Sequence, residues 1–205
     1  MEYVDLAGTG FVITKLPDDI IENCDAIVKD LLDNPKDFEE YNQGLAGHIK
    51  KEYLSSPPAG FEEFLEEMME VHYNNSQYLS QITVCDDDLP IKLENFWINL
   101  QEKNEYNPPH NHSGVFSFVI WHKIPYLKED EEKVFDNTSV GCWNGNFSFI
   151  YNDAIGIQNF IIPADKKMEG YICLFPANLV HAVYPFFTSD DYRISMSGNL
   201  KLTTK

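Results

Sequence analysis

Three histidines raise the first chemical question. His110 and His112 stand one residue apart in "NPPHNHSG" (107–114), and His181 follows in "PANLVHAVYP" (176–185). Alternate residues of an extended segment face one way, so the imidazoles of His110 and His112 can converge on one point. With His181 from a second strand, three neutral imidazoles could hold a divalent ion. Imidazole suits iron, zinc, copper and nickel. The structural alternative is a set of buried histidines that only hydrogen-bond backbone carbonyls.

A second constellation lies in "YRISMSGNL" (192–200). Arg193, Ser195, Ser197 and Asn199 share one strand parity, and Ile194, Met196 and Leu200 share the other. The apolar face can pack on a helix or sheet. If the polar face lines a barrel, Arg193 points inward, and a buried guanidinium needs an anion. That anion is either an acidic side chain of the protein or a bound carboxylate held bidentately with help from Ser195. In "ENFWINLQ" (94–101), Trp97, Asn99 and Gln101 share a parity. Asn99 can present its amide to the same cavity, whereas Gln101 reads as a solvated edge position.

These residues need strands to position them. Residues 10–15 read as a short strand. "LPDDIIENCDAIVKDLLDNP" repeats its apolar residues at three- and four-residue spacing, a helix opening at Pro17 and ending before Pro35. Residues 36–58 show no strong period, and a second helix is expected over about 60–82. From residue 94 the pattern changes to runs rich in β-branched and aromatic residues. They are 94–101, 115–124, 146–151, 158–163, 170–176, 179–185 and 192–202, seven strands that suggest a sandwich or barrel. The leading helices would cover one sheet face, giving an α+β, mainly β protein. The acidic stretch 126–146 is too long for a hairpin turn and reads either as a lid or as a solvated loop. Phe116, Phe118, Trp121, Trp143, Phe147 and Phe149 are candidates for an apolar pocket wall.

Composition bounds the partners. Fifteen basic against 33 acidic residues give a net charge of −18. Such a surface repels phosphate backbones, so no nucleic-acid partner is expected. Cys24, Cys85, Cys142 and Cys173 are widely spaced, with no CxxC pair, and read as free thiols of a reducing compartment. No basic segment followed by an apolar run opens the chain, and no apolar run is long enough to cross a membrane.

The order His-x-His, a distal histidine 69 residues on, then Arg-x-Ser twelve residues later resembles the non-heme iron, 2-oxoglutarate-dependent oxygenases. "WINLQEKNEYNPPHNHSGVFSFVIWHKIP" and "ICLFPANLVHAVYPF" resemble a prolyl-hydroxylase-like branch found in bacteria and bacteriophages. The resemblance spans roughly residues 94–202. It implies a double-stranded β-helix (a jelly roll, cupin-like) over 94–202, buttressed by a mostly helical 1–90, as one oxygenase domain over 1–205. It implies His110, His112 and His181 as iron ligands, with Arg193, Ser195 and Asn99 binding 2-oxoglutarate. The cofactors would be Fe(II), 2-oxoglutarate and O2. The reaction would hydroxylate an amino-acid residue of a protein or peptide, or a small molecule, releasing succinate and CO2. The setting would be the cytoplasm of a bacterium or of a bacteriophage-infected host cell, and the acidic surface would favour a basic partner. The usual motif is His-x-Asp/Glu. A histidine at 112 keeps open a cupin-like three-histidine metalloenzyme without 2-oxoglutarate, for which zinc is also suited. A non-catalytic jelly-roll module is the other alternative.

Overall fold

The computed structural model describes residues 1–42, 47–82, 90–134 and 142–203. Strands β1 (Glu2–Leu6) and β2 (Thr9–Lys15) form a hairpin ahead of helix α1 (Asp18–Asp33). Strand β3 (Glu52–Leu54) precedes helices α2 (Phe61–Asn75) and α3 (Tyr78–Gln81). The β-rich part follows as β4 (Ile91–Gln101), β5 (Asn107–His110), β6 (Phe116–Lys123), helix α4 (Lys128–Lys133), β7 (Phe147–Asp153), β8 (Gly156–Ile162), β9 (Tyr171–Pro176), β10 (Val180–Val183) and β11 (Arg193–Leu202).

Two sheets face each other. The larger runs β1-β2-β9-β6-β11-β4-β3 and the smaller β5-β10-β7-β8. Every strand pairing among the described residues is antiparallel. This is the arrangement of a double-stranded β-helix. The first 90 residues contribute more than helices: β1 and β2 extend one edge of the larger sheet and β3 caps the other.

Helix α1 begins after Pro17, with Asp18 and Asp19 in its first turn, where the helix dipole favours negative charge. It stops at the residue before Asn34-Pro35. Its apolar stripe, Ile20, Cys24, Val28 and Leu31, is buried. The expected second helix is broken in two, since Ser76 is extended and separates α2 from α3. Phe61, Leu65 and Met68 of α2 join Phe96, Ile98, Phe118 and Met196 in the core on the outer face of the larger sheet.

A second core fills the space between the sheets. Val119, Trp121, Cys173 and Phe175 from the larger sheet meet Phe147, Phe149 and Leu179 from the smaller side. The ring of Phe149 lies 5.0 Å from Phe175, 5.1 Å from Phe147 and 4.9 Å from Phe11. Strand β6 is therefore buried on both faces, and its sequence is an almost unbroken apolar run rather than an alternating one.

Phe116 belongs to the helix-side core and Trp121 to the inter-sheet core, so both are packing residues. Within 126–146, α4 ties the stretch down. The Glu131 carboxylate is fully buried and accepts hydrogen bonds from the Phe187 and Thr188 amides and the Thr188 hydroxyl. The part of that loop at 135–141 lies outside the described residues, as does Cys85.

Candidate metal centre and its pocket

Strands β5 and β10 are neighbours, and their register sets His110 opposite His181. The two rings lie 4.3 Å apart, and the His112 ring lies 5.0 Å from each. One ligand atom from each histidine falls within 4.8 Å of the others. Two bonds of about 2.1 Å to one ion reach across at most about 4.2 Å. Small side-chain rotations therefore suffice to close the three on a single metal.

Strand alternation is not what makes the rings converge. Strand β5 ends at His110 and β6 starts at Phe116, so His112 sits on the irregular link. Its amide donates to the Ala177 carbonyl at 2.8 Å, which fixes the chain where it turns. Its ring rests 6.0 Å from that of Trp97.

The other two rings are oriented by backbone. His110 Nδ1 pairs with the Pro108 carbonyl at 2.7 Å, and His181 Nδ1 with the Leu179 carbonyl at 3.0 Å. A carbonyl can only accept, so Nδ1 carries the proton and Nε2 keeps its lone pair for a metal. Burial lowers the pKa of all three imidazoles. For His112 the value falls to about 4, with the His110 charge adding to burial. Neutral imidazoles bind a cation without first losing a proton. A buried, neutral, correctly presented nitrogen set fits a divalent metal.

The histidines share a cavity of about 50 Å³ with Glu52, Trp97, Asn99 and Ser195. Asn99 and Ser195 face each other across β4 and β11, and the Asn99 amide donates to the Ser195 hydroxyl at 3.1 Å. Phe147 lines the same cavity. A larger recess, about 780 Å³, is an open groove by residues 102–106 and 190–192 and is lined by none of the three histidines.

Arg193 faces between the sheets and is only 4% exposed. Its guanidinium uses every donor. Nε and one terminal nitrogen bond the Gln101 side-chain oxygen. The other terminal nitrogen bonds the Tyr126 hydroxyl at 2.7 Å and the Gly145 carbonyl at 2.9 Å. The Tyr184 carbonyl takes the last proton at 3.2 Å. All these acceptors are neutral. The internal salt bridge that the sequence left open is absent among the described residues, so the guanidinium is held by neutral acceptors alone. Gln101, which also lines the histidine cavity, joins the two regions.

Sequence reasoning misplaced or missed three participants. Gln101 is 2% exposed and holds the arginine, so it is not a solvated edge residue. Its parity with Asn99 was the available signal. Tyr126 and Glu52 gave no signal, the first because it starts a polar loop and the second because β3 has only three residues.

Residues 95–199 match the family described as "Putative 2OG-Fe(II) oxygenase". Among solved structures, a prolyl-4-hydroxylase from Pseudomonas putida superposes with a TM-score of 0.61 at 13% identity, covering 98% of this chain and 96% of that one. The non-heme alpha ketoglutarate dependent epimerase SnoN from nogalamycin biosynthesis gives 0.54 at 13% identity, covering 96% and 78%. HygX from Streptomyces hygroscopicus, solved with nickel, 2-oxoglutarate and hygromycin B bound, gives 0.51 at 10% identity, covering 96% and 83%. At these identities the likeness is one of fold. No curated protein matches the sequence.

Proposed function

We propose that this chain, which belongs to the 2OG-Fe(II) oxygenase family, holds ferrous iron on His110, His112 and His181 and anchors 2-oxoglutarate through Arg193, Ser195 and Asn99. Membership makes it an oxidoreductase. The proposed reaction is hydroxylation of an amino-acid residue of a peptide, or of a small molecule, with release of succinate and CO2. No helix among the described residues is long and apolar enough to cross a membrane.

One observation carries the reading. A buried guanidinium with only neutral partners lies in the same barrel as three converging imidazoles, with Gln101 between them. A dicarboxylate cosubstrate answers both features, because one carboxylate offsets the arginine charge while the other end reaches the metal. Bound iron would supply dioxygen activation coupled to decarboxylation of the cosubstrate.

The chain's own residues bind, orient and exclude water. Pro108 and Leu179 hold two imidazole rings by their carbonyls. Arg193 presents a planar fork suited to a carboxylate. Gln101 and Tyr126 hold that fork in place, and one of their bonds must open for a carboxylate to enter. Ser195 can donate its hydroxyl proton to the same carboxylate while accepting from Asn99. Trp97 and Phe147 keep the chamber dry. Three neutral histidines leave a divalent ion at +2, one unit above a site with a carboxylate ligand, and the cosubstrate carboxylate that reaches the metal lowers this to +1.

The test is an anaerobic titration of Fe(II)-loaded protein with 2-oxoglutarate, followed by the visible metal-to-ligand charge-transfer band. A saturable band is expected. Iron demonstrably bound with no band would remove 2-oxoglutarate from the site, and failure to bind iron would reduce the histidines to structural residues.

A further inference from the structure

Glu52 is an acid inside the metal pocket. It is 3% exposed, and its Oε1 has no hydrogen-bond partner among the described residues. It lines the cavity that holds His110, His112 and His181. Its carboxylate is not part of the converging group, which among the described residues consists of the three histidines. So it belongs to the wall and not to the ligand set.

Its neighbour sharpens the point. Register places Glu52 directly across from Asn99, which itself lies across from Ser195. The three form one row on the barrel face of the larger sheet. With its amide donating to Ser195, the side-chain oxygen of Asn99 is also buried and unpartnered. Two adjacent acceptors therefore face one small chamber, and no donor of the described chain reaches either. A buried acceptor left unmade costs roughly 1–3 kcal/mol, more when charged, and such groups are retained where something else satisfies them.

The cosubstrate is a poor candidate for that role. It is a dianion with acceptors and no donor, so it can take bonds from Arg193, Ser195 and the Asn99 amide nitrogen but can give none to these two oxygens. The group that satisfies both oxygens brings hydrogen-bond donors, and one that also carries positive charge favours the ionised carboxylate. We infer that Glu52, with the Asn99 side-chain oxygen, is a specificity-determining acceptor pair for a protonated amine on the primary substrate. This rests on the oxygenase reading above and adds the substrate class. The target would carry an ammonium group, as a free amine, an amino acid or a lysine side chain does. Burial and the nearby Glu105 push the Glu52 carboxyl up to about 8, and an arriving ammonium relieves that strain by favouring the charged form. The net charge of −18 concentrates cations around the protein in the same direction.

The experiment uses Ni(II)-loaded protein saturated with 2-oxoglutarate under nitrogen, so that no turnover occurs. Isothermal titration compares n-butylammonium with butan-1-ol, a probe of matched size without charge. The wild type should bind butylammonium at least tenfold more tightly than butanol. Glu52→Gln should abolish that preference while leaving 2-oxoglutarate affinity within twofold, and Glu52→Asp should restore part of it. Equal binding of both probes by the wild type overturns the inference, and so does a preference that survives in Glu52→Gln. If the wild type gives no charge-transfer band with Fe(II) and 2-oxoglutarate, the oxygenase reading fails and the inference falls with it. An intact band with no ammonium preference removes the inference alone.

Discussion

Replacing Arg193 with methionine separates cosubstrate binding from metal binding. Methionine keeps an unbranched, apolar stem in the barrel and deletes the charge. The proposed cosubstrate loses one charge-assisted interaction, worth about 1.5–3 kcal/mol. That corresponds to roughly a tenfold to 150-fold weaker Kd for 2-oxoglutarate. Iron affinity should not change, because no histidine of the cluster hydrogen-bonds the arginine. The substitution also takes a donor from Gln101, Tyr126 and Tyr184, while the Gly145 carbonyl keeps the Tyr126 hydroxyl, so some loss of stability is expected irrespective of function. Ligand linkage removes that ambiguity. At a concentration about 100 times the wild-type Kd, 2-oxoglutarate should stabilise the wild type by about 2.7 kcal/mol. A variant with a 100-fold weaker Kd gains only about 0.4 kcal/mol from the same solution. For a chain of this size the difference is roughly 5–9 °C in the ligand-induced rise of Tm. The assay is thermal unfolding of the iron-loaded protein, with and without 2-oxoglutarate, beside the charge-transfer titration. A folded Arg193→Met variant that keeps the full ligand-induced rise and an unchanged Kd would refute the assignment of Arg193 as the anchor.

Three further outcomes are expected. His112→Asp should still bind iron and show the charge-transfer band, while His112→Ala should lose roughly tenfold or more in metal affinity; an alanine variant with full activity would show that the ligand is dispensable. Phe149→Ala should cost about 3–5 kcal/mol in a urea titration, because its fully buried ring fills the space between the sheets. His72→Gln should flatten the acid side of the stability profile. Burial lowers the His72 pKa below 6.5, so as pH falls below about 6.5 the unfolded chain takes up a proton that the folded chain refuses, and stability is lost. Urea midpoints of the metal-free protein at pH 7.5 and 5.5 measure the slope with and without the residue.

The barrel was legible because its strands carry strong local signals. Parity in "YRISMSGNL" placed Arg193 and Ser195 between the sheets and Ile194 and Met196 against the helices, as the two cores confirm. The pairing of Asn99 with Ser195 follows from the same alternation on β4 and β11. What escaped is set by distant contacts. Strand β3 has no periodicity of its own; it exists because β4 offers it an edge, so Glu52 could not be found locally. His112 reaches the cluster through one backbone bond to Ala177, a partner 65 positions away that no spacing rule encodes. Tyr126 becomes an arginine ligand only because the chain after Ile124 is pulled inward, and the buried Glu131 in the following helix shows why composition misled there: an acidic loop reads as solvated until its amide partners at 187 and 188 are known.

The two halves of the site belong to different sheets. His110 and His181 are mounted on the four-stranded one, and Arg193 and Ser195 on the seven-stranded one. Under the proposed assignment, a cosubstrate that chelates at one end and pairs with Arg193 at the other would bridge the gap, and the packed rings of Phe147, Phe149 and Phe175 hold that gap open. They act as a gauge block between two jaws. Trimming or enlarging a ring changes the distance from metal to guanidinium without touching a polar atom. Reach, and with it the length of dicarboxylate accepted, can thus be retuned from the hydrophobic interior, so a core substitution here would read out as altered cosubstrate selectivity as well as altered stability.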